Sequence, residues 1–72
     1  MSKRTDYTNQ EAWLSYVHNF KCGDHVTVEA KTFSGPWQGT IEKTSFFGNC
    51  NDAISIRNGI LRNLNVYDIT SI

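Results

Sequence analysis

Residues 23–39 read Gly-Asp-His-Val-Thr-Val-Glu-Ala-Lys-Thr-Phe-Ser-Gly-Pro-Trp-Gln-Gly, and no other stretch constrains the fold as much. Gly23 suits the left-handed residue just past a helix end. Val26, Val28 and Ala30 then alternate with His25, Thr27, Glu29 and Lys31. That period of two predicts a one-sided antiparallel strand over residues 25–32. Phe33-Ser34-Gly35-Pro36 turns the chain, and a second strand is expected over 37–45. The chain before this stretch has room for one short helix. The chain after it reads as more strand.

Gly39 lies inside the second expected strand, where a glycine often marks a bend or bulge. Phe46-Phe47-Gly48-Asn49-Cys50-Asn51-Asp52 is a turn-rich connection. A third strand is expected over 53–57, with Ile54 and Ile56 facing inward. Asn58-Gly59 predicts a type I′ hairpin, which needs positive φ at both central residues. A fourth strand over 60–66, a helical turn at Asp68-Ile69 and a short closing strand complete the chain. Ile72 is apolar, so the C-terminus is expected to be tied into the sheet.

Toward the N-terminus, residues 1–7 are polar and read as a flexible tail. Thr8-Asn9-Gln10-Glu11 fits a capping box. Trp13, Val17 and Phe20 follow at i, i+4 and i+7, so a helix is expected within 8–22. A helix of three turns does not persist alone in water. Its aromatic stripe must cover something, and an open end of the barrel is the natural place. The alternative is a helix that binds a partner's groove.

The expected class is mainly β: an N-terminal α-helix followed by a small five-stranded antiparallel barrel of SH3-like or Sm-like type over 23–72. All 72 residues form one domain. A chain this short buries roughly 60% of its unfolded surface. A deep catalytic pocket would compete with the core for the same apolar residues. Seven basic residues balance seven acidic ones, so no net positive field draws in nucleic acid. Near-zero net charge also permits self-association. No apolar run resembles a signal peptide or spans a bilayer, and the two cysteines are too few for a disulfide scaffold. The expectation is a cytoplasmic protein with free thiols and no membrane partner.

Two families share this architecture and resemble the chain. Gly23-Asp24-His25-Val26-Thr27-Val28, Phe33-Ser34-Gly35, Gly39-Thr40-Ile41, Ile54-Ser55-Ile56 and Ile69-Thr70-Ser71-Ile72 resemble a KOW-type SH3 domain, as at the C-terminus of NusG-like transcription factors. That resemblance covers residues 23–72 and implies docking onto RNA polymerase, a ribosomal protein or RNA. More weakly, Gly39-Thr40-Ile41-Glu42, Phe47, Asn49 and Ile56-Arg57-Asn58 resemble the Sm/Hfq group, which implies rings that bind single-stranded RNA. The chain departs from that group at Ser45, where an Asp is usual, and at Val66-Tyr67, where Hfq carries Lys-His.

His18, Cys22, His25 and Cys50 contain zinc-ligand types, but the paired C-x-x-C spacing is missing, and no metal or cofactor is expected. Neither cysteine has a recognisable oxyanion-hole segment, the carboxylates are scattered, and there is no phosphate-binding glycine loop, so the chain reads as non-enzymatic. Phe33, Trp37, Phe46 and Phe47 flank two loops, and Arg57 and Arg62 flank the Asn58-Gly59 hairpin. These six are the expected binding residues. The leading expectation is an accessory or regulatory module that docks a protein through loop aromatics, of a size that suits a phage-type regulator. The alternative is an RNA- or single-stranded-DNA-binding barrel using Lys31, Lys43, Arg57 and Arg62 with Phe33 and Phe47.

Overall fold

The computed structural model describes residues 2–46 and 52–72 of the chain. One helix, α1 (Gln10–His18), precedes five strands: β1 (His25–Ala30), β2 (Trp37–Ser45), β3 (Ala53–Asn58), β4 (Ile60–Asn65) and β5 (Ile69–Ser71). All pairings are antiparallel, and the order is β4-β3-β2-β1-β5 in one curled, half-barrel sheet.

The alternation expected in β1 is present: Val26, Val28 and Ala30 are buried and His25 is exposed. β1 ends at Ala30, short of the expected Thr32, and the Lys31 N–H donates to the Asp68 carbonyl at 2.9 Å beside the start of β5. β2 has the expected bounds, but its bulge falls between Ile41 and Lys43 rather than at Gly39. Gly39 stays in register opposite Val26. A Cβ there would lie 2.5 Å from Ile56 Cγ2 and 2.8 Å from the Arg57 carbonyl oxygen, so the glycine admits a close approach of β3.

The β3–β4 hairpin falls where expected, with a different turn. Gly59 has φ +76°, but no non-glycine residue among those described has positive φ, so the turn is not type I′. Asn58 remains in the ladder opposite Ile60, and its side-chain amide donates to the Gln38 carbonyl at 2.8 Å. The two strands therefore pair right up to Gly59.

The helix is shorter than its sequence pattern predicts. Its N-cap is Asn9, whose Oδ1 accepts from the Ala12 N–H at 2.9 Å, in place of the Thr8–Glu11 box. It ends at His18 because the Asn19 side chain donates to the Ser15 carbonyl and diverts the backbone. Gly23 does take positive φ (+96°), but in the turn into β1, where its N–H donates to the Ile41 carbonyl at 2.8 Å. Trp13 and Val17 are fully buried and seal the core built from β1–β5. The Trp13 indole N–H donates to the Val66 carbonyl at 3.1 Å. The Tyr16 hydroxyl donates to the Ile72 main-chain oxygen at 2.7 Å, which locks the helix to the end of the chain. Tyr16→Phe should cost about 1 kcal/mol, read as a lower urea midpoint with an unchanged slope.

Residues 2–7, which read as a polar tail, lie against the end of the chain. Ser2 exchanges hydrogen bonds of 2.8 and 3.0 Å with Ile72, and Lys3 bridges to Ser71. A 3-10 turn (Arg4–Asp6) follows, with Asp6 accepting from the Lys3 N–H at 3.1 Å. This segment covers the outer side of β5. As expected, the chain end is tied in, with Ile72 buried.

The sheet order does not join β4 to β5. A second 3-10 turn (Val66–Asp68) carries the chain across to β1, where Glu29 faces Ser71 and Ala30 faces Ile69. β4 therefore keeps an edge that no strand pairs with among the described residues.

Candidate interaction surface

The open β4 edge is where the expected binding residues come closest together. Directly opposite residues in an antiparallel pair point to the same side. Ile41 faces Ile56 and Ile56 faces Arg62, so Arg62 lies on the core-facing side of β4. By the same register Trp37, opposite buried Val28, faces the core from β2. Phe33 joins them from the β1–β2 loop. Gly35, with φ +74°, lets that loop fold back before Pro36 and Trp37.

These elements lay the Arg62 guanidinium carbon 4.7 Å from the Phe33 ring centroid and 4.9 Å from that of Trp37. All three residues are half-buried. Such stacking contributes on the order of 1 kcal/mol per ring at part-exposed sites. Arg62 Nε is buried and has no hydrogen-bond partner. Beside this cluster stand the two exposed large hydrophobic residues of the described chain, Ile60 (62% exposed) and Leu61 (42%). Ile60 shares the side of Arg62, and Leu61 the opposite one.

The remaining expected residues lie elsewhere. Arg57 is on the convex side of the sheet and forms an exposed ion pair with Glu42. Phe46 packs against His18 with the rings tilted and their centroids 4.6 Å apart, at the end of α1. Phe47 and Cys50 lie outside the described residues. Cys22 carries a free thiol that contacts the Glu42 carbonyl at 3.2 Å, while His25 Nδ1 is 3.0 Å from Thr40 Oγ1. His18, Cys22 and His25 thus have separate surroundings, and no cluster of three metal-ligating side chains exists among the described residues.

Sequence reasoning missed Ile60 and Leu61, since apolar residues beside a hairpin read as strand filling. It also placed Asp52 in a turn. Asp52 is fully buried: its carboxylate accepts from the Tyr67 hydroxyl at 2.9 Å, and its carbonyl accepts from the Val66 N–H. These bonds fix the far end of β4. Shallow depressions lie away from β4. One of about 340 Å³ is lined by Tyr16, Phe20, His25 and Ile72, and one of about 270 Å³ by His25, Thr27 and Gln38.

Comparison of the chain with protein-family models, with curated proteins and with solved structures gives no match. Among the described residues, no helix is long and apolar enough to cross a membrane.

Proposed function

We propose that this chain is a non-enzymatic protein-interaction module, a small barrel of SH3-like type, that docks an extended segment of a partner protein along β4. The observation that carries this reading is an edge strand, unpaired on one side among the described residues, that carries exposed Ile60 and Leu61. Proteins usually guard such edges with proline, a bulge or outward charge. β4 contains no proline, and its register with β3 is unbroken from Ala53–Asn65 to Asn58–Ile60. Its one charge, Arg62, is turned onto aromatic rings. The opposite edge, β5, is three residues long and covered by Ser2 and Lys3. An added strand on β4 would gain main-chain hydrogen bonds for affinity and side-chain contacts for specificity.

The nucleic-acid alternative has less support. Arg57 is engaged by Glu42, and Arg62 covers ring faces on which bases would stack. The net charge is zero.

Selection of random peptides of roughly ten residues, long enough to span β4, tests the proposal. Binders are expected to lose at least about tenfold in affinity on Leu61→Lys, which places a charge on the edge. Leu61 is exposed, so the variant should keep its melting curve. Failure to select any peptide, or binders indifferent to Leu61→Lys, would overturn the reading. Light scattering that shows a dimer dispersed by Leu61→Lys would put a second copy of the chain on this edge instead.

A further inference from the structure

We infer that Arg62 takes a carboxylate from the docked segment, so that the partner presents an aspartate or glutamate opposite Arg62 and an apolar residue two positions away. This rests on the proposed docking at β4 and names the chemistry that the edge selects.

The Arg62 guanidinium has five N–H donors and no acceptor capacity. Among the described residues Arg62 makes no hydrogen bond or ion pair, and its Nε is buried without a partner. A half-buried cation of this kind normally finds an anion. Among the described residues it meets the Phe33 and Trp37 rings instead. Rings hold the face of the guanidinium and Nε is enclosed, so the two terminal Nη groups are the donors left for a ligand. A guanidinium fixed by stacking is pre-organised for the two parallel hydrogen bonds that a carboxylate accepts.

The position of Arg62 within β4 sets where that carboxylate must come from. A residue directly opposite on an added strand has its Cβ about 5 Å away and points to the same side. Two residues along, still on that side, the added strand meets exposed Ile60. The edge therefore selects an acidic residue, any residue, then an apolar one, when the added strand runs antiparallel to β4. Glu42 and Arg57 pair with each other and leave Arg62 alone.

The test uses the peptides selected above on the intact chain. An acidic residue should be enriched at one fixed position, with an apolar residue two places on. Changing that acid to its amide in a synthetic peptide should weaken binding about tenfold, the usual loss when a charge-assisted bidentate contact is removed. Because this change is made in the peptide, folding of the protein is not in question. Arg62→Gln should bring the acid and amide peptides to equal affinity, and Arg62→Lys should restore part of the difference. If selected peptides depend on Leu61 yet bind equally well as acid and amide, the carboxylate assignment is wrong and docking at β4 stands. If no peptide depends on Leu61, both readings fall together.

Discussion

Trp13→Ala should cost about 4–6 kcal/mol, most or all of the stability of a marginal domain of this size. A domain of 72 residues has roughly 4–11 kcal/mol of stability to lose. Trp13 is fully buried, lies 5.3 Å from the Tyr7 ring and 5.4 Å from Tyr16, and is the largest side chain in the core. Removing so large a buried ring costs about 3–5 kcal/mol in transfer and cavity terms. The Val66 carbonyl also loses its indole donor. That adds roughly 1 kcal/mol if the carbonyl stays buried. Together these losses reach the lower part of the available range. Trp13→Phe keeps most of the apolar area and should cost about half as much. Urea titration of the two variants followed by far-UV dichroism reads the difference. A folded Trp13→Ala variant with a near-native midpoint would mean that α1 does not seal the core.

Gly39→Ala should destabilise by about 2–3 kcal/mol, although alanine ordinarily suits a strand interior better than glycine. The backbone φ of Gly39 is not positive, so conformational strain is not the cause. The cause is space. The new Cβ would meet Ile56 Cγ2 at 2.5 Å and the Arg57 carbonyl oxygen at 2.8 Å. Ile56 is fully buried, and the Arg57 carbonyl belongs to the β3 backbone. Neither can move without shifting the β2–β3 pairing, and overpacking of this kind costs about 1–3 kcal/mol. The urea midpoint should fall with little change in slope. Equal or greater stability would show that β3 sits further from β2 than described.

The local signals in the sequence were reliable where a period of two met a turn. Val26, Val28 and Ala30 are buried as their alternation requires, and so are Ile54 and Ile56. Asn58-Gly59 marks the hairpin because its position depends only on neighbours. Phe20 continues the apolar stripe, so periodicity predicts a longer helix than α1, and it does not register the Asn19 side chain that competes for the Ser15 carbonyl at the helix end. The pairing of Ser2 with Ile72 joins the two ends of the chain, and no local pattern encodes it. Closure of the barrel depends on long-range pairing in the same way: the turn Val66–Asp68 leads β5 to β1, and among the described residues β3 is the strand that pairs with β4.

The interaction surface was legible in its parts and not in its assembly. Phe33, Trp37 and Arg62 stood out as aromatic and basic residues near turns. Their stacking depends on the register of four strands, which places Arg62 on the core-facing side in a position that alternation alone would assign to an apolar residue. Arg57 lies five positions earlier in the chain and on the other side of the sheet. The hairpin therefore does not gather the two arginines into one basic edge. Ile60 and Leu61 became informative only once β4 proved to be an edge.

Amide hydrogen exchange along β4, with and without a selected peptide, tests the central claim most directly. In the free protein, alternate amides of β4 face away from β3 and should exchange fast, while those bonded to β3 exchange slowly. Adding the peptide should protect the fast set in β4 and leave β5 unchanged. Protection that instead falls around Thr27, Gln38 and Thr40, or leaves β4 as it was, would contradict docking at this edge.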